Sequence, residues 1–311
     1  MLPVRRSRII QPSLGETIAY GNPLAAGLLG AWPMNDGGGA NVTDATGLYG
    51  NGAIVTPAAG MWQVGLQGIQ YNNTVVTCIN VPNNPSYPLV TGFNGTGEMT
   101  WFCLVRLDSL RNYYGLVTKT NGNTAAPFDA YVDSGGTLHA FWGNGSTSGS
   151  ITATVSAGVW MQVAFTGNTV SQVAALYVNG ALVATGTFTN VYDQGTALRI
   201  GDRNDGATSA FAKFALAMLW NRALSAAEIQ MLAANPWQWS NARQPRGMGW
   251  ISGGTSTFTL IPTGLPSAFA AGDPTLEYNQ DIGPTGLASG FAGIPSKYGA
   301  GLTYSLFGSH A

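Results

Sequence analysis

The chain has 311 residues, of which 45% are hydrophobic and only 9% are charged, against about 25% charged in an average soluble protein. Its net charge of −1 provides no clustered cations for phosphate contacts, so nucleic acid is excluded as an expected partner. No segment approaches the ~18 uninterrupted apolar residues of a membrane span, so membrane insertion is not expected either.

Residues 1–23 form an N-terminal arm without clear periodicity. The arm carries a basic cluster at 5–8, but the stretch that follows is polar and is interrupted by Pro12 and Gly15, unlike a secretory signal. We therefore expect the protein to be made in a cytoplasm without an export signal of its own.

Residues 24–239 consist of short apolar runs separated by Gly, Asn, Ser and Asp turns, a pattern that predicts an antiparallel β-sandwich of the jelly-roll kind. The predicted strands cover 28–34, 74–81, 98–107, 114–120, 128–132, 137–143, 158–166, 172–178, 181–188, 197–201 and 211–220. The run 98–107 is mostly apolar on both faces, which predicts a central strand. Asn179-Gly180, between two β-rich runs, predicts a type I′ hairpin turn.

One helix is predicted after the last strand. Ser225 and Glu228 form the pattern of a capping box, Ile229 and Leu232 begin an apolar stripe, and Pro236 ends the helix. Residues 240–257 have the composition of a linker. Residues 258–311 contain two repeats spaced by 22 residues, IPTGLPSAFA at 261–270 and GPTGLASGFA at 283–292. Each repeat is too short to fold alone, so we expect this C-terminal region to dock on another surface.

Cys78 and Cys103 both lie in predicted strands. Two buried free thiols are the favoured interpretation, because a free cysteine packs as a small hydrophobic side chain. A disulfide requires the two strands to be neighbours, which the sequence does not decide.

The region 24–239 resembles the laminin-G-like, concanavalin A-like superfamily, in the variant found in phage and bacterial surface proteins. Residues 22–47 resemble its opening strand and D-x-(S/T)-G element, and 159–186 resemble its central W-x-x-V-A strand and Y-V-N-G hairpin. Residues 198–239 resemble its closing signature, R-x-L-S-x-x-E-I followed by a helix, and the final N-P-W-Q-W is similar to phage-encoded members. The chain departs from many members at Gly201-Asp202, which predicts a more acidic rim loop.

This resemblance implies a non-enzymatic structural protein of a bacteriophage virion, in the tail or baseplate adsorption apparatus. Its lectin-like sandwich would contact host-surface glycan or other subunits. The alternative is a capsid decoration or head-fibre protein, and a secreted glycan-binding or glycan-processing protein is less favoured. The expected partners are other virion proteins, copies of the chain itself in a homo-oligomer such as a trimer, and a host cell-surface glycan.

The sequence lacks the residue patterns of enzymes on this fold. The E-x-D-x-x-E motif of related glycosidases, which supplies a pair of reacting carboxylates, is absent from the sequence. The two histidines are His139, inside a predicted strand, and His310, next to the end of the chain. His139 is interpreted as a hydrogen-bonded histidine of the sheet, so catalysis is not expected.

Two kinds of ligand site remain open. Asp202, Asn204 and Asp205 supply hard oxygen ligands in one rim loop and are candidates for calcium, although Asx residues of this kind also form turns. A glycan site needs aromatic rings beside polar groups, and the candidates at the ends of predicted strands or in loops are Trp142, Tyr113, Tyr114 and Tyr192.

Overall fold

The computed structural model describes residues 11–63, 68–71, 77–84, 98–110, 114–120, 127–143, 148–188, 191, 195–203 and 211–240. The chain divides into two units, residues 1–246 and 247–311, and every described residue belongs to the first. The predicted linker beyond Ser240 and the repeat region lie outside the described residues.

The described residues form fifteen strands and one α-helix, preceded by a 3-10 turn at Pro23–Ala25. The strands are β1 (Leu28–Trp32), β2 (Asn41–Val42), β3 (Gly52–Ile54), β4 (Ile69–Gln70), β5 (Ile79–Val81), β6 (Glu98–Leu107), β7 (Tyr114–Lys119), β8 (Phe128–Val132), β9 (Thr137–Gly143), β10 (Ser148–Thr154), β11 (Trp160–Asn168), β12 (Val173–Val178), β13 (Ala181–Thr187), β14 (Leu198–Ile200) and β15 (Ala212–Trp220). The helix α1 covers Ala226–Ala234.

The strands form two antiparallel sheets that pack as a sandwich, which confirms the predicted fold class. In the described residues, one sheet has seven strands in the order β1-β15-β6-β11-β12-β13, with β4 paired to β15. The other has eight strands in the order β10-β9-β8-β7-β14-β5-β3-β2. The apolar run 98–107 is β6, which lies between β15 and β11, so the predicted central strand is confirmed.

Four strands were not predicted from the sequence, for two different reasons. The short strands β2, β3 and β4 have only two or three residues, too few for a period-two pattern to be recognised. The edge strand β10 consists of Ser, Gly, Thr and Ala around one buried side chain, Ile151. An edge strand buries little surface and so needs few apolar residues. A run of small polar residues of this kind has the composition of a turn.

The helix and the hairpin form as predicted. The Ser225 side chain accepts a hydrogen bond from the backbone N–H of Glu228, and Glu228 accepts one from the backbone N–H of Ser225. At the hairpin between β12 and β13, Asn179 and Gly180 have φ angles of 51° and 79°, the left-handed values that a type I′ turn requires. Neither cysteine forms a disulfide, and both thiols are buried, which confirms the favoured interpretation.

Apolar side chains are buried in two layers. The larger cluster fills the space between the two sheets and includes Trp101, Trp142, Phe165 and Phe214. The second cluster covers the outer face of the seven-stranded sheet, where Phe102 and Tyr177 pack with Leu24, Leu232 and Trp237. Chain segments that precede β1 and follow β15 therefore cover this face. Among the helices of the described residues, none has the length and apolar character needed to cross a membrane.

Candidate functional site

The outer face of the eight-stranded sheet carries a mixed set of aromatic, charged and hydroxyl side chains. Alternation along the strands places Phe128, Ala130 and Val132 of β8 in the core between the sheets, so Asp129 and Tyr131 lie on the outer face. The same alternation in β9 buries Leu138 and Ala140 and places His139 and Phe141 outside.

Strand register aligns these residues in two adjacent rows. The first row crosses five strands through paired positions, in the order Arg199, Thr118, Asp129, Phe141 and Ser150. The second row continues from Gly115 through Tyr131 and His139 to Thr152. Residues opposite one another on the same face of a sheet have Cβ atoms about 4.5–5.5 Å apart, so the side chains within each row are direct neighbours. We call the two rows together the outer-face site.

Three rings at the centre of the outer-face site lie nearly parallel. The ring centroids of Tyr131 and His139 are 4.7 Å apart, and those of Tyr131 and Phe141 are 5.7 Å apart. The guanidinium carbon of Arg203 lies over the Tyr131 ring, 4.1 Å from the ring centroid. Tyr131 is largely covered, whereas His139 and Phe141 are half-buried and so present part of their rings to solvent.

Every charged side chain of the outer-face site has an oppositely charged partner. Arg203 Nη2 lies 2.7 Å from Asp129 Oδ2, and Arg199 Nη1 lies 2.7 Å from Asp202 Oδ2. His139 Nε2 lies 3.1 Å from Asp133 Oδ2, as expected of a hydrogen-bonded sheet histidine. Hydrogen bonds from the backbone N–H of Thr137, from His139 and from the backbone N–H of Gly135 lower the pKa of Asp133.

Two glycines position the rim loop, residues 201–203, over this face. Gly115 lies directly beneath Asp202, and a Cβ there would overlap the Asp202 backbone. Gly201 has a φ of 93° and packs on the Tyr71 ring, whose hydroxyl donates a hydrogen bond to the carbonyl of Ile200 at 3.2 Å. Thr118 Oγ1 donates to the Asp202 carbonyl at 2.7 Å. These contacts bring Arg203 over Tyr131.

The exposure predicted for Trp142 and Tyr114 is wrong. The Trp142 ring is 2% exposed and packs against Phe165 and Phe188, with centroids 5.5 Å and 5.7 Å away. The Tyr114 ring is also fully buried, and its hydroxyl is 3.4 Å from Ser109 Oγ. Both positions alternate onto the inner face of the sheet, so neither offers a ring face to a ligand in this structure. Tyr113 and Tyr192 lie outside the described residues.

The rim loop differs from the acidic surface expected from its sequence. Asp202 is completely buried, and one carboxylate oxygen, Oδ2, is paired with Arg199. Its other oxygen, Oδ1, is buried without a hydrogen-bond partner. Asn204 and Asp205 lie outside the described residues, in which no group of three or more Asp, Glu, His or Cys side chains is arranged for a metal. Asp202 alone thus supplies one oxygen toward the six to eight that calcium takes.

Three residues of this site, Tyr131, Phe141 and Arg203, were not predicted from the sequence. Period-two alternation in 128–132 and 137–143 contained a usable signal, because the apolar residues of each strand alternate with Asp129, Tyr131, His139 and Phe141. The position of Arg203 had no local signal, since it depends on a loop that folds back over Gly115.

Comparison with known families supports the concanavalin A-like jelly-roll domain. Residues 79–230, just under half of the chain, match the laminin G-type model described as the concanavalin A-like lectin/glucanases superfamily. No curated protein sequence matches the chain at a significant level. The matched segment includes β5 to β15 and therefore all strands of the outer-face site.

Several solved structures share the fold. Trypanosoma rangeli sialidase aligns with a TM-score of 0.51 and 16% identity, covering 67% of this chain and 33% of that chain. The binding domain of Paraclostridial Mosquitocidal Protein 1 has a TM-score of 0.52 and 17% identity, covering 68% and 52%. The receptor binding domain of botulinum neurotoxin type G has a TM-score of 0.51 and 14% identity, covering 66% and 50%. The chain spans between a third and about half of these chains, and the likeness is one of fold.

Proposed function

We propose that the chain is a non-enzymatic binding protein whose outer-face site contacts a cell-surface glycan. The observation that carries this proposal is the pair of half-buried rings, His139 and Phe141, beside the exposed hydroxyls of Ser150 and Thr152 on the neighbouring strand. A sugar ring has an apolar C–H face and a rim of hydroxyls, and it is bound where aromatic rings lie beside polar groups.

The lectin-like fold is consistent with this role. Two of the structural neighbours are binding domains, one of them named as receptor binding, so the same architecture serves recognition in those proteins. The other large sheet face is covered by its own chain, through Trp237 and the helix residue Leu232. The outer-face site therefore keeps two adjacent half-buried rings next to exposed hydroxyls, whereas on the covered face Trp160 is half-buried against the second cluster.

We further propose that the protein is part of a bacteriophage particle, made in the host cytoplasm and placed in the tail or baseplate adsorption apparatus. Support comes from the resemblance of residues 235–239 to phage-encoded members of the superfamily and from the weakly charged, glycine-rich composition. In this setting the partners are other virion proteins, further copies of the chain and the host glycan. Calcium near Asp202 is not required by this proposal, because Asp202 is fully buried and its Oδ2 is paired with Arg199.

Binding of fluorescently labelled protein to a panel of bacterial cells and to an immobilised glycan array tests the outer-face site. We expect saturable binding that falls about tenfold or more in Phe141→Ala, since one stacking platform contributes on the order of 1–1.5 kcal/mol or more. Val170→Ser is the matched control, because Val170 is 83% exposed in the turn between β11 and β12 on the other sheet. Unchanged binding by a folded Phe141→Ala protein would contradict the proposal.

Chelation tests whether the calcium predicted from the sequence takes part in binding. We expect binding to be the same with EDTA and with added calcium, because Asp202 Oδ2 is paired with Arg199 and one carboxylate oxygen remains for a cation that takes six to eight. Loss of binding in EDTA would show that calcium belongs to the site. Binding that is identical with and without EDTA removes calcium from the site and leaves the glycan proposal standing.

Immunogold electron microscopy tests the virion placement. Antibodies raised against the recombinant chain should label phage particles released by cultures that encode it, at the tail tip. Labelling over the capsid would favour the decoration or head-fibre alternative, and unlabelled particles would overturn a virion role.

A further inference from the structure

We infer that the outer-face site selects uncharged glycans over acidic ones, an inference that rests on the proposed function. It follows from how the charges of the site are arranged. The ionisable side chains of the described site and its rim are Arg199, Arg203, Asp129, Asp133, Asp202 and His139. Two arginines and three aspartates give a net charge of −1, without His139.

Both arginines are held by carboxylates that are themselves buried. The Asp202 side chain is fully buried beside Arg199, and the Asp129 side chain is 7% exposed beside Arg203. A ligand carboxylate, sulfate or phosphate would have to approach these aspartates closely to reach either guanidinium. Removing one partner from a buried pair leaves the other charge uncompensated, so displacement of Asp129 or Asp202 by a ligand is unfavourable.

Arg203 is also committed on a second side. Its guanidinium lies over the Tyr131 ring while its Nε and Nη2 atoms face Asp129 Oδ2, at 2.9 Å and 2.7 Å. Rotation toward an acidic ligand would break the contact with the ring and the two contacts with the carboxylate together. Arg203 is therefore held in one position at the side of the site, and its charge is neutralised by Asp129.

The accessible groups are those that suit a neutral sugar. Ser150 and Thr152 are exposed on the edge strand, where each hydroxyl can donate one hydrogen bond and accept others. In the pairing of β9 with β10, Ser150 lies opposite Phe141 and Thr152 lies opposite His139. Each aromatic ring on β9 therefore has a hydroxyl group beside it on β10. A hexose with only hydroxyl substituents satisfies both, and an added carboxylate finds no uncompensated cation among the described residues of this face.

The test compares one oligosaccharide with and without a terminal sialic acid, using lactose-terminated and sialyllactose-terminated glycans immobilised at equal density. We expect the neutral glycan to bind about tenfold or more tightly than the sialylated one. Its Kd should also change by less than about twofold between about 20 mM and about 300 mM NaCl, because a neutral ligand has no charge to screen. Equal or tighter binding of the sialylated glycan would overturn the inference and leave the proposed function intact.

Asp129→Asn is the gain-of-function variant. It removes the carboxylate that neutralises Arg203 while keeping a similar side-chain shape. We therefore expect the ratio of the Kd for the sialylated glycan to the Kd for the neutral glycan to fall about tenfold, and binding of the sialylated glycan to weaken with added salt. Asp108→Asn is the matched control, since Asp108 pairs with Arg106 at the end of β6, in the other sheet, and it should keep the wild-type preference. If Asp129→Asn does not fold, the salt series on the unmodified chain decides. Absence of binding to either glycan overturns the proposed function itself.

Discussion

At the scale of single residues, the Asp44 carboxylate organises the first turn of the sandwich. Its Oδ1 accepts hydrogen bonds from the backbone N–H groups of Ala31 and Thr46, and its Oδ2 accepts from those of Tyr49 and Gly50, at 2.9–3.0 Å. Asp44 is 4% exposed, and the donors Ala31 and Tyr49 are also buried, so these N–H groups have little access to water as an alternative acceptor. The D-x-(S/T)-G element of the sequence thus has a structural role in this protein, because its aspartate holds the turn together through hydrogen bonds.

Replacement of Asp44 by Asn should lower the free energy of unfolding by about 2–4 kcal/mol, because an amide nitrogen cannot accept and leaves buried N–H groups unpaired. Urea denaturation measures the loss. Asp36→Asn is the control, since the half-buried Asp36 bonds to Thr43 alone and should lose less than half as much. Equal losses in the two variants would contradict the role of Asp44.

The two thiols should be unreactive in the folded protein. Burial, with the nearby Asp202 charge, raises the pKa of Cys78 to about 11, and burial raises the pKa of Cys103 still further. Thiolate is the reactive form, so a thiol reagent at pH 8 should titrate neither cysteine in the native state. The same reagent in denaturant should titrate both, and fast labelling without denaturant would contradict the burial.

At the scale of elements, the position of the rim loop depends on Gly115 in β7. A methyl group at this position would overlap the Asp202 backbone, so Gly115→Ala should cost about 1–3 kcal/mol, as overpacking does. The variant should also weaken glycan binding, because Arg203 moves from Tyr131. Gly38→Ala is the control, since a Cβ there meets nothing within 4 Å and should change stability little.

Helix α1 is attached to the sandwich by an ion pair that titrates. Arg222 donates to both carboxylate oxygens of Glu228, at 2.7 Å and 3.0 Å, and to the backbone carbonyls of Pro23 and Ala26. Burial alone would raise the pKa of Glu228, but the hydrogen bonds from Arg222 and Ser225 lower it overall. A lowered pKa in the folded state means that the stabilising contribution is present above the ordinary glutamate pKa and is lost as the pH falls through the folded value.

Glu228→Gln should therefore destabilise the protein at pH 7 and converge with the unmodified chain in strongly acidic buffer. Thermal unfolding at several pH values measures the difference. A double-mutant cycle with Arg222→Met should show coupling that disappears over the same acidic range. A difference that is constant with pH would place the effect of Glu228 in helix capping alone.

At the scale of the whole molecule, adjacent residues of β9 serve opposite sides of one sheet. Trp142 belongs to the inter-sheet core, where Gly149 and Gly186 leave room for its ring, and Phe141 belongs to the outer-face site. Trp142→Ala should cost about 3–5 kcal/mol of unfolding free energy, and Phe141→Ala less than about 1.5 kcal/mol. In folded protein, Phe141→Ala should weaken glycan binding more than Trp142→Ala does. Calorimetric unfolding measures the stability of each variant, and glycan titration measures its affinity.

Four features could be predicted from the sequence: the sandwich class, the strands from 98 to 220 apart from the polar edge strand β10, the capped helix and the Asn179-Gly180 hairpin. These features depend on neighbours in the chain, through period-two alternation, the capping box and the turn preference of Asn-Gly. The same sequence placed Trp142 and Tyr114 at the surface because they stand at the ends of apolar runs. Which face of a strand is buried depends on the opposite sheet, about 10 Å away and distant in the chain.

The residues of the candidate site come together through contacts between distant strands. Arg199, Asp129, Phe141 and Ser150 come from four strands between residues 128 and 200, and antiparallel register brings them into one row. Arg203 joins them because a loop folds over Gly115, which has no side chain. Local sequence sets the periodicity of each strand, whereas register and sheet packing are set by contacts between segments far apart in the chain.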